Sequence, residues 1–132
     1  MSIEKLLWEE DATGLAARIR AGEVSAPEAV EAAIGRAERV NPEINAIAGK
    51  TYERARRMAQ AVERDAPLAG VPFAIKDLGI SRKGVTTHSG SRIPPFTPDF
   101  DSVLAERYLA AGLIPIATST SPEFGLRLVT ES

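Results

Sequence analysis

Apolar residues recur at helical spacing through the first half of the chain and collapse into short continuous runs in the second. Asp11 is placed to cap a helix whose apolar positions Leu15 and Ile19 fall four apart, with Gly22 as its stop. Ser25 and Glu28 have the spacing of a capping box, Pro27 sits in the first turn, and Val30, Ile34, Ala37 and Val40 continue one apolar face. That pattern predicts a helix ended by Asn41-Pro42. A brief apolar stretch at 44–48 follows without a clear period. Ala55, Met58 or Ala59, and Val62 then mark one face of a further helix, with Arg54, Arg56, Arg57 and Arg64 outside the stripe as a solvated face.

The character changes after the turn at Asp65-Ala66-Pro67. Residues 70–75 (GVPFAI) are apolar on both alternating faces, as in a strand buried on two sides. Residues 79–101 are rich in Gly, Ser, Thr and Pro without periodicity, and a loop of that length in a compact domain usually has a function. Asp101 or Ser102 can cap a helix through Leu104, Tyr108 and Leu109 that ends at Gly112. A second apolar run at 113–117 predicts another strand, in which Pro115 removes a ladder donor and points to an edge, a bulge or a strand start. Strand, helix, strand is the order of a βαβ unit. The predicted class is therefore α/β: N-terminal helices over residues 1–66, then the first strands of a mixed sheet over 67–132. No internal repeat or low-complexity segment interrupts it.

Composition changes this picture little. In 132 residues, 44% hydrophobic and 26% charged, the chain has the size and balance of one globular domain. A net charge of -2 gives no concentrated positive field for direct nucleic-acid binding or an anionic membrane surface. The absence of cysteine excludes disulfides, a thiolate nucleophile and zinc-cysteine sites. Glu4, Lys5, Glu9 and Glu10 make the first ten residues too charged for a signal peptide or spanning helix, so the expected location is cytoplasmic.

Candidate chemistry gathers in the second half. Lys76 ends the apolar run and is followed by Asp77, so an amine is delivered to the carboxyl end of a predicted strand, where α/β folds tend to place sites. As a general base near neutral pH it needs burial or neighbouring charge to disfavour the ammonium by about 4 kcal/mol. On spacing alone, a lysine that reaches from a strand end to water or pairs with Asp77 is the commoner outcome. His88 is the single histidine, in TTHSGS at 86–91, so a Ser-His-Asp mechanism would have to use it, with Ser89, Ser91 or Ser121 as nucleophile. The same loop could cradle a polar substrate or be an ordinary connection. Ser121-Pro122-Glu123 is suited to start a short helix, with Ser121 as N-cap. Asp99 and Asp101 are expected as helix-start acids, and neither a metal nor a cofactor is expected.

Taken in order, VNPEINA at 40–46, LAGVPFAIKD at 68–77, TTHSGS at 86–91, AAG at 110–112, SPEFG at 121–125 and the final TES resemble the amidase signature family across essentially the whole chain. The string LAGVPFAIKD is the specific one. The resemblance implies a single amidase domain of which residues 1–132 are the N-terminal part, acting on a small-molecule amide. In that family a serine attacks the carbonyl, a second serine relays its proton, a lysine is the ultimate base, and backbone N–H groups hold the oxyanion. Only the lysine carries over, to Lys76. The Gly/Ser-rich segment with both serines would lie beyond Ser132, so the polypeptide alone is expected to hydrolyse nothing and to be marginally stable. Where members commonly have Gly-Lys-Thr-Asn, this sequence has Ala117-Thr118-Ser119-Thr120. Two other readings stay open: the amidase subunit of an aminoacyl-tRNA amidotransferase, and a non-enzymatic remnant that binds another protein.

Overall fold

The computed structural model describes residues 2–130. Helices come first, and a small sheet is completed only near the end. The element order is α1 (Ile3–Glu9), α2 (Ala12–Ala21), α3 (Ala26–Ile44), β1 (Ile47–Lys50), α4 (Tyr52–Gln60), β2 (Pro72–Lys76), α5 (Val103–Ala110), β3 (Ile114–Ser119) and a 3-10 turn, Glu123–Gly125. The three strands lie in the order β1-β3-β2, with β1 antiparallel and β2 parallel to β3. The β2-α5-β3 connection is the predicted βαβ unit, and the α/β class holds.

Local signals set most helix ends. Asp11 accepts a hydrogen bond from the Gly14 N–H at 2.7 Å, and Gly22 closes α2 in the left-handed region at φ 77°. The capping box forms at Ser25 and Glu28, the Glu28 carboxylate accepting from the Ser25 N–H at 2.8 Å. Pro42 does not end α3. The helix runs on to Ile44 and stops when Asn45 turns left-handed at φ 47°. So near the end, a proline removes one helical donor and interrupts little that follows. Val62 lies beyond the end of α4 at Gln60. The short α1, capped by Ser2, carries no periodic signature; it exists by packing Leu6 into the core and α1 against α3.

The sheet departs from expectation in two places. Ile47 and Ala48, the end of the stretch at 44–48, begin β1, whose residues meet β3 at Ile47 with Ser119, Gly49 with Thr118 and Lys50 with Ala117. The strand expected to be buried on both faces, β2, is an edge: Ile75 is buried while Ala74 and Lys76 are exposed. The central strand is β3, buried from Ile114 to Thr118. Pro115 therefore sits in a central strand, where a missing donor must be accommodated by a bulge. The β2 register shifts between Phe73 and Ala74 beside it, and the Pro115 carbonyl accepts from the Thr51 hydroxyl at 3.0 Å. Of the three positions foreseen for Pro115, the edge is overturned and the bulge is observed.

Helix α5 is fastened to β2 by an edge-to-face pair, Phe73 and Tyr108, with ring centroids 5.0 Å apart. The turn after it passes so close to residues 68–70 that only glycine fits at Gly112. With φ at 89°, a Cβ there would stand 2.8 Å from the Ala69 Cα. Ile19 and Val30 of the helices and Ile114 of β3 are among the largest fully buried side chains and belong to one apolar cluster that joins the helical layer to the sheet.

Candidate active site at the carboxyl edge of the sheet

Strands β2 and β3 run parallel, so their carboxyl ends open on the same side and bring Lys76 opposite Ser119. Alternation along β2 sends Ile75 and Asp77 inward and Lys76 outward. Lys76 is exposed, and among the described residues its ammonium has no hydrogen-bond or ion-pair partner. The burial expected for a lysine base is thus not supplied by these residues, because the face of β2 that carries Ala74 and Lys76 is uncovered. Pairing of Lys76 with Asp77 is absent too.

Asp77 is instead the best-tied residue of this edge. It is 2% exposed. Its N–H donates to the Ser119 carbonyl at 3.0 Å, its carbonyl accepts from the Thr87 hydroxyl at 3.1 Å, and its two carboxylate oxygens share the His88 N–H at 3.0 and 3.2 Å. The sequence offers Asp77 only as a partner for Lys76. The signal available was an acid directly after an apolar strand, which does not say which way the side chain turns.

The connection at 79–101 contains no regular element, but hydrogen bonds close it at several levels. One guanidinium nitrogen of Arg82 donates to both oxygens of Asp101 at 2.7 Å, and the Lys83 N–H donates to the same carboxylate at 2.7 Å. Arg54 donates to the Lys83 carbonyl at 2.7 Å, the Gly84 N–H to the Pro98 carbonyl at 2.8 Å, and Thr87 and Phe96 exchange both backbone bonds. Burial pushes the Asp101 carboxyl up, yet the hydrogen bonds from Arg82 and Lys83, with the charges of Arg82 and Arg54, hold it below the usual carboxylate range. Asp101 therefore serves the loop rather than the α5 N-terminus, which Ser102 caps by accepting from the Ala105 N–H.

The tip of this loop docks on the turn after β3. The Ser89 carbonyl accepts from the Phe124 N–H at 2.9 Å, and the Ser91 hydroxyl donates to the Glu123 carboxylate at 2.8 Å. Ser89 and Gly90 on one side and Phe124 and Gly125 on the other all have positive φ. Ser121 does not cap the turn that follows. The N-cap position falls on Pro122, and the Ser121 hydroxyl is buried without a hydrogen-bond partner among the described residues. The Thr118 hydroxyl is likewise buried and unpaired among them; Thr118 borders a cavity of about 20 Å3 shared with Thr51, Ile75, Asp77 and Thr87.

The serine-histidine alternative lacks its geometry. His88 Nδ1 lies 3.8 Å from Asp77 Oδ2, too far for a hydrogen bond, and the His88 side chain is 45% exposed. Among the described residues, no side chain of Ser89, Ser91 or Ser121 hydrogen-bonds to the imidazole. The described residues also contain no group of three or more histidine or acidic side chains placed to hold a metal, and no helix long and apolar enough to cross a membrane.

A lysine at the end of a parallel strand, in register with Ser119 of a Ser/Thr-rich strand end, gives this α/β fold a polar corner at the carboxyl edge of its sheet. The Amidase family model matches residues 28–132, so the chain belongs to the amidase signature family. It is 38% identical over 128 residues to a 6-aminohexanoate-cyclic-dimer hydrolase of Paenarthrobacter ureafaciens, covering 95% of this chain and 25% of that one. It is 35% identical over 133 residues to a glutamyl-tRNA(Gln) amidotransferase subunit of Lachnospira eligens, covering 96% and 28% respectively. A solved structure of 6-aminohexanoate cyclic dimer hydrolase superposes with a TM-score of 0.84 at 35% identity, over 92% of this chain and 26% of that one. The chain thus spans about a quarter of the length of the relatives it matches.

Proposed function

We propose that residues 1–132 are the N-terminal part of a single amidase domain that hydrolyses a small-molecule amide, with Lys76 as the general base. The observation that carries this is the position of Lys76: an outward-facing amine at the carboxyl end of β2, within the segment matched by the amidase family model. In the mechanism implied by that resemblance, a serine Oγ attacks the amide carbonyl carbon. Its proton passes through a second serine to the Lys76 amine, and the leaving nitrogen recovers it as the C–N bond breaks. Water then releases the acyl group. In that family both serines lie in a Gly/Ser-rich segment that is not among these residues, so the reading is tested on the full-length protein. An apolar groove of about 530 Å3, with Leu7, Leu15, Val40, Ile44 and Ile47 in its wall, supports a fold in which further polypeptide packs here.

The test is Lys76→Ala in the full-length protein, assayed on a panel of simple amides. Turnover should fall by about 10^2 to 10^4, and a melting curve and far-UV circular dichroism spectrum like the parent's would show that the loss is chemical rather than structural. Turnover retained within twofold would remove Lys76 from the mechanism. The relationship to amidotransferase subunits supports a second reading, release of ammonia from glutamine to a partner; glutaminase activity without hydrolysis of other amides would favour it. The acidic, cysteine-free composition supports a cytoplasmic location and no direct contact with nucleic acid or membrane.

A further inference from the structure

Beyond the lysine itself, we infer that Asp77 is a positioning residue that fixes the strand end of Lys76 and the turns at 86–91 and 121–125 as one rigid unit. The inference rests on the reading of Lys76 as the base. A carboxylate buried to 2% exposure opposes folding unless its lone pairs are filled, and the sole direct donor to it among the described residues is the His88 N–H. Such a group is a poor source of stability and a good source of geometry. Its backbone locks β2 to β3 through the Ser119 carbonyl, while its side chain and carbonyl hold His88 and Thr87. From His88 the connection continues within a few residues: the Ser89 carbonyl and the Ser91 hydroxyl carry Phe124 and Glu123. Lys76 is the neighbour of the residue where all these bonds meet. Loss of the Asp77 carboxylate therefore leaves the 86–91 turn held to this strand end by the Thr87 hydroxyl alone, and the 121–125 turn loosens with it.

The prediction separates this role from general support of the fold. In the full-length protein, Asp77→Ala should speed hydrogen exchange of the His88 and Phe124 amides by about 10- to 100-fold, the loss expected for a hydrogen bond to a charged group. The Lys83 and Gly84 amides, held by Asp101 and Pro98 at the other end of the loop, should keep their protection. On an amide substrate kcat should fall by about 10- to 100-fold with KM within about twofold, because a small misplacement of a reacting group costs rate more than binding. Asp77→Asn keeps an oxygen for the His88 N–H and should recover most of the protection and rate. If Asp77→Ala does not fold, Thr87→Val, which removes only the bond to the Asp77 carbonyl, should move the same two amides by a smaller factor. Equal acceleration at all four amides, or an unchanged Phe124 amide, overturns the inference. So does KM rising with kcat unchanged. A parent protein that turns over no amide removes the Lys76 reading, and with it the catalytic part of the inference; the exchange pattern then decides alone whether Asp77 joins the two turns.

Discussion

Gly90→Ala tests the contact between the two turns most directly. Gly90 has φ 65°, and a Cβ on it would stand 2.3 Å from the Ser121 carbonyl oxygen, 2.9 Å from the Pro122 carbonyl carbon and 3.0 Å from the Glu123 nitrogen. All three are backbone atoms that cannot swing away as a side chain would. Left-handed backbone alone costs an alanine about 1–2 kcal/mol relative to glycine. Separating the turns also stretches the Phe124 to Ser89 and Ser91 to Glu123 bonds, at about 0.5–1.5 kcal/mol each, the second at the low end because it is exposed. The total is about 2–4 kcal/mol. Gly22→Ala is the matched control: its φ is 77°, and nothing lies within 4 Å of the Cβ it would gain, so it carries the backbone cost alone. Urea unfolding of both variants followed by far-UV circular dichroism, compared at equal slope, gives the difference. If Gly90→Ala loses no more than Gly22→Ala, the turns do not touch as described, and the route from Asp77 to Phe124 loses its last step.

Ile19→Ala should cost about 2–5 kcal/mol in the same unfolding assay, since Ile19 is 2% exposed at the contact of α2 with the rest of the core; a loss under about 1 kcal/mol would mean that α2 is not packed there. Thr118→Val replaces a buried hydroxyl that lacks a partner among the described residues by a methyl of similar shape, and should be neutral or stabilising; a loss above about 2 kcal/mol would show that the hydroxyl is bonded. For Asp101, the folded carboxyl is held below its ordinary value, so the stability it contributes is complete above the unfolded value of about 3.9 and is lost as pH falls through the depressed folded value. Protection of the Lys83 amide, which donates to Asp101, should accordingly hold from neutral pH down to about 4 and decline below it. Asp101→Asn should remove that pH dependence, and an unchanged decline in the variant would assign it to another group.

Residues 79–101 show why the site was only partly legible in the sequence. Their composition announces a loop, and the strings on either side announce the family, but nothing in the order of residues says that Asp77 turns inward to His88 or that Arg82 reaches Asp101. Those partners are 11 and 19 positions apart and meet only after the β2 to α5 connection has closed. Ser121 illustrates the opposite failure. Ser-Pro-Glu is a sound local helix start, yet the turn begins one residue later, where the loop tip at Gly90 lies close against its backbone.

Helices α2 and α3 were determined mainly by local signals: Asp11, Ser25 with Glu28, Gly22 and the apolar spacing of α3 each act within one or two turns of backbone, where sequence neighbours are also spatial neighbours. The family membership and the placing of Lys76 at a strand end were likewise legible from residues in order. Which strand is central, that β1 exists, and that Pro115 lies in the middle of the sheet were decided by tertiary structure, because a strand acquires its partners from distant segments and its burial from whatever covers each face. The exposure of Lys76 follows from the same cause, since an alternating pattern tells which residues share a face but not whether anything lies over it.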